Sequence, residues 1–327
     1  MDNFLSRLPK VSIVTPSLNQ GAYIEENIKS VLNQNYPHFE HIIIDGGSTD
    51  GTIDILKKYD HLIWVSERDK GQSEAINKGF KRANGEIIGW LNSDDYYEPG
   101  AFLTIVGELS KAEGRYVVVG DCKVVDGKGK KIGYCKGKLT HPNNFIKYWE
   151  RDYRIPQPAV FFYKEIIDRI GFLDDELHYV MDYDFWLRVS KHYQLNYIKK
   201  TLATMRVHDR AKTNLSYELF EKEWFKILRK YHSNQFSIDN FRYLFMALNF
   251  RSNLMRVNAY SKKEELSLWE FRKKVWASIM ANPLNVCKRK FASAFFRTMM
   301  GHWFTDKLKY FLTSRSDSHD YSSNKAP

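Results

Sequence analysis

Residues 10–121 alternate short apolar runs with longer stretches in which apolar residues recur every three to four positions. The short runs are rich in Val and Ile, which is typical of buried strands, whereas the periodic stretches are typical of amphipathic helices. The predicted strands are Val11–Thr15, His41–Asp45, Leu62–Ser66, Glu86–Leu91 and Tyr116–Gly120, and the predicted helices are Tyr23–Gln34, Gly51–Tyr59, Ser73–Ala83 and Pro99–Ser110.

Strands that alternate regularly with helices predict an α/β fold with a mostly parallel sheet that is flanked by helices on both faces. In sheets of this kind, ligands bind beyond the carboxyl ends of the strands. The polar clusters of this chain follow the predicted strands at those ends. The sequence therefore predicts a binding site along that edge of the sheet.

The pattern changes further along the chain. Residues 122–155 are rich in Gly and Lys and predict a hairpin with a loop, and AVFFY then resumes as a strand. From about residue 216, ELFEKEWFKILRKYH and EFRKKVWASIM are basic and amphipathic, which favours helices. We expect an α/β domain at 1–215, a basic helical region at 216–312 and a disordered tail at 313–327.

Charge and cysteine content narrow the class of protein. The net charge of +11 suits a polyanionic partner, such as nucleic acid, an anionic membrane surface or a phosphate-rich substrate. Three cysteines without a Cys-x-x-Cys pair argue against a disulfide framework and against a zinc knuckle. No run approaches the roughly 18 apolar residues of a spanning helix, and the N-terminus lacks a secretion signal. We expect a soluble or peripheral protein in the cytoplasm.

Two acidic residues follow strands next to glycines. In IIIDGGSTDGT, Asp45 precedes a glycine turn, which either ends in a capped helix or lets a nucleotide approach while Asp45 bonds a base edge. Asp69 follows the third strand, and Gly71 opens a helix whose N-terminus suits phosphate, although a solvated charged loop explains the same residues. The segment matches neither a dinucleotide fingerprint nor a phosphate-binding loop with its Gly-Lys-Ser/Thr.

A pair of carboxylates in GWLNSDDYYEPG follows the fourth strand. Asp94 and Asp95 repel one another unless a cation or a positive partner lies near them, and a hard divalent ion shared with substrate phosphates meets that need. The alternative is that both residues cap the helix predicted near Pro99.

Further candidates lie in the second half of the α/β domain. Asp182, within YVMDYDFWLRVS, has apolar neighbours on a predicted helix, and such surroundings raise a carboxyl pKa into the range of a general base. Capping of that helix is the alternative. His208, within RVHDRAKT, fits a metal ligand or a surface histidine.

Taken in order, these segments resemble the inverting glycosyltransferase family 2, whose members have the GT-A fold, a Rossmann-like nucleotide-diphospho-sugar transferase architecture. The matching segments lie within residues 10–213 and are TPSLNQGAYI, IIIDGGSTDGT, ERDKGQSEAINKG, WLNSDD, PQPAVFF, MDYDFWLR and VHDRAKT. The resemblance implies a mixed, mostly parallel sheet flanked by helices, with a C-terminal helical extension.

The resemblance also implies roles for the matching positions. Asp182 would be the catalytic base, and Mg²⁺ or Mn²⁺ would be bound by Asp94 and His208. Two positions depart from the family pattern, because Asn92 replaces the first Asp of an Asp-x-Asp metal motif and Met181 replaces an acidic residue before the base. The donor nucleotide would be bound by Thr15, Pro16, Asp45, Asp69, Asn92 and Ser93, and the acceptor site would be bordered by Gln157 and Pro158.

The expected activity is transfer of a single sugar, with inversion, from a nucleotide-sugar donor to an acceptor hydroxyl. A UDP-sugar is the default donor, and the acceptor would be a glycan or a lipid-linked molecule in polysaccharide, lipopolysaccharide or glycolipid assembly. The Gln-x-x-Arg-Trp motif and spanning helices of processive synthases are not found in the sequence. The basic C-terminal helices either attach the enzyme peripherally to the inner face of the plasma membrane or pack on the catalytic domain.

Two other classes of protein are alternatives to a glycosyltransferase. A nucleotidyltransferase that makes sugar nucleotides would carry basic residues in a Gly-rich loop near the N-terminus, and TPSLNQGAY has none. A non-enzymatic module that binds nucleic acid or an anionic surface would use the positive charge, but the carboxylates at the strand ends would repel a nucleic-acid backbone. We therefore expect no nucleic-acid partner.

Overall fold

The computed structural model describes residues 8–111, 116–137, 155–208 and 217–232, together with Glu270, Lys273 and Ala277. The chain divides into two compact units, Met1–Tyr231 and His232–Pro327. Most of the basic region at 216–312, the tail at 313–327 and the domain boundaries near residues 215 and 312 lie outside the described residues, so those expectations stay predictions.

The first unit contains nine strands and seven helices in its described part, and the predicted strands and helices before residue 121 are all present. The strands are β1 (Val11–Ser17), β2 (Phe39–Asp45), β3 (Leu62–Ser66), β4 (Ile87–Trp90), β5 (Tyr96–Tyr97), β6 (Val117–Asp126), β7 (Lys131–Cys135), β8 (Val160–Tyr163) and β9 (Leu195–Val207). The helices are α1 (Ile24–Leu32), α2 (Thr52–Leu56), α3 (Gln72–Arg82), α4 (Ala101–Leu109), α5 (Glu165–Ile170), α6 (Met181–Ser190) and α7 (Tyr217–His232).

All nine strands belong to one mixed sheet, in the order β3-β2-β1-β4-β8-β6-β9-β5, and β7 pairs with β6 in addition to this order. The first four strands in this order run parallel to one another. Beyond β4 the pairing becomes mixed, since β8 runs antiparallel to β4 and β6, while β6 and β9 are parallel. The α/β class is confirmed, and the parallel part is concentrated in the N-terminal half.

The core forms around β1, whose seven residues are all buried because it lies between β2 and β4 and is covered by helices. Helix α3 packs directly on it: a Cβ atom added at Gly79 would come within 2.2 Å of Val14 Cγ1. Only glycine permits this approach of helix to strand, and the approach fixes the start of α3 close to the carboxyl end of β1.

Strand β9 was not among the strands predicted from the sequence. It spans Leu195–Val207, and its first half is largely exposed, whereas Leu202, Ala203 and Thr204 are buried. The run of lysines in the exposed half hides the alternation that predicts a strand. Within the described part of the chain, no helix is long and apolar enough to cross a bilayer.

Candidate active site

The order β3-β2-β1-β4 places a crevice between the carboxyl ends of β1 and β4, where successive connections leave the sheet in opposite directions. The turn after β4 is held from α1 by Asn27, whose side-chain amide donates to the carbonyl oxygens of Asn92 (2.8 Å) and Asp95 (2.9 Å). The turn that carries Asp94 is therefore fixed by the first helix of the fold.

Asp94 and His208, the two residues predicted as metal ligands, meet in this crevice although they are 114 positions apart. Asp94 Oδ2 lies 3.1 Å from His208 Nε2, and the side chains are 20% and 8% exposed. His208 comes directly after β9, so the parallel pairing of β9 with β6 delivers it to the turn after β4. The alternative in which Asp94 caps a helix is excluded, because α4 begins at Ala101 after Gly100.

Arg206 supports the acidic turn and was not predicted from the sequence. Its backbone N–H donates to Asp95 Oδ1 (2.9 Å), and its Nε donates to the Asp94 carbonyl oxygen (3.2 Å). The guanidinium pairs with Glu26 and lies 4.9 Å from the centre of the Tyr23 ring. Burial, and then the neighbouring Asp94 charge, raise the pKa of Asp95 well above its ordinary value. Arg206 offsets part of this accumulated negative charge.

Asp45 is fully buried, and its carboxylate is surrounded by donors of its own loop. It accepts hydrogen bonds from the N–H groups of Gly47 (3.0 Å) and Ser48 (2.8 Å) and from the hydroxyls of Ser48 (2.5 Å) and Ser66 (2.7 Å). Three of these donors bond Oδ2 and one bonds Oδ1, so Asp45 organises the glycine turn in this structure. The bond from Asp45 to a base edge stays a prediction.

Asp69 lies against that same turn. A Cβ atom at Gly46 would be 2.9 Å from Asp69 Oδ2, so glycine allows the carboxylate to approach the backbone. The other oxygen accepts the N–H of Gly71 (2.9 Å), just before α3. Burial raises the pKa of Asp69, and the Asp45 charge acts in the same direction. Asp69 and the Asp45 turn therefore form one side of the crevice.

The remaining residues that were predicted to bind the donor nucleotide lie at the strand ends, but they present little side-chain surface to the crevice. Thr15 is fully buried and its hydroxyl shares a hydrogen bond of 3.0 Å with His41 Nε2. Burial lowers the pKa of His41 to about 3, so this histidine stays neutral. Pro16 lies beyond the last β1–β4 pair, and Ser93 is 4% exposed.

Asn92 and Gln157 belong to one network of side-chain amides. Asn92 Oδ1 accepts from Gln72 Nε2 (2.8 Å) and Trp90 Nε1 (3.0 Å), while Asn92 Nδ2 donates to Gln157 Oε1 (3.2 Å). Gln157 Nε2 in turn donates to the Trp90 carbonyl oxygen (2.6 Å), and Pro158 is buried beside it. The network joins the start of α3, the turn after β4 and the turn before β8. It explains why an amide stands where the resemblance implied a carboxylate.

Replacing Asn92 with Asp is expected to destabilise the fold by about 1–3 kcal/mol, because the new carboxylate would face Gln157 Oε1 without a proton to donate. Urea unfolding of N92D and of Asn33→Asp, an exposed asparagine, provides the measurement and its control. Equal stability of N92D and the wild type would show that the network does not require the amide.

Asp182 lies in the first turn of α6 and is half-buried. It is not the N-cap, which is Val180, and its Oδ1 accepts the N–H of Tyr183 (2.8 Å). Burial raises the pKa of Asp182 to about 6. The segment before it contacts α3, where Ser73 Oγ donates to the Leu177 carbonyl oxygen (2.5 Å). Among the described residues, no hydrogen bond or ion pair joins Asp182 directly to Asp94.

The glycosyl transferase family 2 model matches residues 12–171, which contain the parallel strands β1 to β4, except for the first residue of β1, and the Asp94 turn. The chain belongs to glycosyltransferase family 2. It is an enzyme of the glycosyltransferase class, and its fold is the GT-A fold.

Relatives of this family 2 chain come from several bacteria. An uncharacterized glycosyltransferase of Rickettsia typhi is 29% identical over 231 residues, which cover 68% of this chain and 72% of the relative. The putative teichuronic acid biosynthesis glycosyltransferase TuaG of Bacillus subtilis is 44% identical over 96 residues, or 28% of this chain and 38% of TuaG.

Solved structures of low sequence identity share the fold. TarS of S. aureus, residues 1–349 in complex with UDP-GlcNAc, has a TM-score of 0.59 at 20% identity and covers 88% of this chain and 83% of its own. The mannosyltransferase PcManGT of Pyrobaculum calidifontis, in complex with GDP-Man and Mn²⁺, has a TM-score of 0.55 at 14% identity, with coverage of 90% and 85%.

Proposed function

We propose that this family 2 glycosyltransferase moves one sugar from a UDP-sugar to an acceptor hydroxyl, with inversion at the anomeric carbon. The observation that carries the proposal is the meeting of Asp94 and His208, distant in sequence, at the crevice between β1 and β4. A crevice at such a point in the sheet is where nucleotides bind in open α/β folds. The UDP-GlcNAc bound to TarS supports uridine as the default nucleotide.

The donor atoms of Asp94 and His208 fit a divalent cation, Mg²⁺ or Mn²⁺. Two ligands about 2.1 Å from one ion and at right angles to each other are about 3.0 Å apart, close to the observed 3.1 Å between Oδ2 and Nε2. Within the described ranges, no cluster of three or more His, Cys, Asp or Glu side chains suits a metal, so diphosphate and water would complete the coordination. When bound, the cation supplies positive charge against the leaving diphosphate.

Asp182 acts as the general base in this proposal. With its pKa raised to about 6 by burial, the carboxylate is ionised at neutral pH and yet basic enough to take a proton. The acceptor hydroxyl gives its proton to Asp182 as its oxygen bonds to the anomeric carbon. The bond from that carbon to the diphosphate breaks on the opposite face, and the nucleoside diphosphate leaves with the electron pair.

The acceptor is proposed to be a glycan or a lipid-linked molecule used in cell-envelope polysaccharide, lipopolysaccharide or glycolipid synthesis, on the cytoplasmic side. TuaG, whose name refers to teichuronic acid biosynthesis, supports an envelope polymer. Gln157 and Pro158 would border the acceptor. Within the basic region, α7 buries Trp224 and Ile227. Peripheral membrane attachment is therefore proposed for the rest of that region, residues 233–312.

Melting temperatures measured with UDP, GDP or dTDP, each with and without Mn²⁺, test the donor assignment. A ligand that binds only the folded state stabilises it by about 2.7 kcal/mol at a concentration of 100 Kd. We expect UDP with Mn²⁺ to give the largest rise and UDP alone a smaller one, while Mn²⁺ alone is the control. A larger rise with GDP would reassign the nucleotide. Release of pyrophosphate from UTP and a sugar phosphate would instead indicate a nucleotidyltransferase.

A further inference from the structure

The start of α6, which carries Asp182, is held by a carboxylate from α7. Glu223 accepts hydrogen bonds from the backbone N–H groups of His178 (2.9 Å), Tyr179 (2.7 Å) and Val180 (3.3 Å), the three residues that precede α6. The N–H groups at the start of a helix lack partners within the helix and need acceptors from elsewhere. Val180, the N-cap residue, has no side-chain acceptor. Glu223 supplies one from 43 positions away.

Helix α7 is anchored where Glu223 needs it to be. Trp224 is fully buried, and its ring centre lies 4.2 Å from that of Tyr183, the residue after Asp182. Ile227, one turn further along, is also buried. The neighbouring carboxylate of Glu223 is therefore held by packing rather than by a flexible tether.

The charged side chains around this contact are largely paired with one another. Arg188 pairs with Asp184 within α6, and Lys230 of α7 lies 3.5 Å from Asp174 and 3.6 Å from Asp184. Lys226 pairs with Glu176 at 2.6 Å. His178 and Tyr179 are the titratable groups of this turn, and the His178 ring lies against Gly71, where an added Cβ would be 3.0 Å from Nδ1. Glu223 differs from these residues because it accepts hydrogen bonds from three backbone N–H groups, while Lys226 of the same helix acts on it through its charge.

We propose that Glu223 is a positioning residue: by satisfying the backbone donors of residues 178–180, it holds Asp182 in place for proton transfer. The proposal rests on the proposed function, in which Asp182 is the base. Without Glu223, the three N–H groups would need new acceptors, and Asp182 lies two residues after the N-cap residue Val180. An acidic side chain in the first turn can reach back to the N–H of the N-cap residue. The base would then be turned toward its own backbone.

Loss of Glu223 is expected to lower the pKa of Asp182. Burial now holds the pKa of Asp182 at about 6, against an ordinary value of 3.8. New hydrogen bonds to the carboxylate, and water entering a loosened turn, both favour the charged form and lower the pKa. The acidic limb of the pH–rate profile should move to lower pH, while kcat falls because the base is misdirected. A merely structural helix contact would change stability without moving this limb.

The test uses the full chain and four variants. In Glu223→Ala all acceptor atoms are lost, whereas Glu223→Gln keeps one acceptor oxygen of the same reach. Lys226→Ala is the matched control, since it removes an exposed ion pair of the same helix that does not touch residues 178–180. The ¹³C carboxyl signal of Asp182, identified by its absence in Asp182→Asn, is titrated in each protein by NMR.

We expect E223A to lower the Asp182 midpoint by about one pH unit or more, E223Q to fall between E223A and wild type, and K226A to match wild type. The kcat of sugar transfer should fall about tenfold in E223A with little change in the donor KM. An unchanged midpoint in folded E223A would overturn the proposal. If E223A does not fold, an unchanged midpoint and kcat in E223Q would do the same.

The titration separates this proposal from the proposed function because it requires no acceptor substrate. If Asp182→Asn still transfers sugar, Asp182 is not the base and the proposed chemistry fails, whatever Glu223 does. If Asp182→Asn is inactive and the Asp182 midpoint is the same in all Glu223 variants, only the positioning role fails.

Discussion

Asparagine at position 182 is expected to lower sugar transfer by about 10²–10⁴-fold, the usual contribution of a general base, while leaving UDP binding intact. The amide has the size of the carboxylate but cannot take the acceptor proton. Initial rates with radiolabelled UDP-sugar, together with calorimetric binding of UDP, measure the two effects separately. The wild-type rate should fall about tenfold for each pH unit below 6, and the residual D182N rate should lack this dependence.

The stability of the folded protein provides a control for the D182N variant. The folded-state pKa of Asp182 is raised, so ionisation at neutral pH favours the unfolded chain; stability contributed by the protonated form is lost as pH rises from the ordinary value of 3.8 through about 6. D182N should therefore be no less stable than wild type at pH 7. Asp168→Asn, at an exposed position of α5, is the matched substitution. Wild-type turnover in D182N would remove Asp182 from the mechanism.

Asp94→Asn is expected to weaken Mn²⁺-dependent binding of UDP by about 100-fold or more. Loss of groups that merely orient metal ligands already reduces affinity by about 10–100-fold, and Asp94 contributes the carboxylate of the proposed pair. Titration calorimetry of UDP at saturating Mn²⁺, and again in EDTA, isolates the metal-dependent part.

The same titration on Asp60→Asn, at an exposed acidic position before β3, controls for the general loss of negative charge. The EDTA values should coincide for wild type, D94N and D60N. If D94N binds UDP as tightly as wild type in the presence of Mn²⁺, the Asp94–His208 pair is not the metal site.

The sequence predicts the parallel half of the sheet well because each of its strands is a short apolar run, although the edge strand β3 is only partly buried. It does not predict the order of the later strands. The apolar run at β8 gives no sign of its direction, and β9 carries too many exposed lysines to show a strand pattern. The direction of β8 and the presence of β9 were missed for one reason. The direction of a strand and its pairing partner are set by the whole sheet, and the sequence of a single segment does not encode them.

Within the site, the separate residues were predictable but their partnerships were not. Asp94 and His208 were chosen as a pair through the resemblance, and the pairing of β9 with β6 brings them together. Arg206 and Gln72 were missed because nothing local marks a buried arginine or a helix-start glutamine as part of a site. Glu223 was missed for the same reason, since its acceptor role depends on residues far away in sequence.

The protein donors around Asp45 were not predicted, for a related physical reason. A carboxylate at a strand end beside glycines suits both a ligand and a turn, and sequence alone gives no count of the protein donors around it. The structure supplies four, from two backbone amides and two hydroxyls.

Those four donors have a consequence for how a substrate is received. Because the glycine turn is already ordered by Asp45, its conformational entropy is lost when the chain folds rather than when the nucleotide arrives. Such preorganisation leaves more of the contact free energy for affinity. Recognition at this turn would then require no loop closure. Discrimination between bases would follow from the shape of the preformed turn.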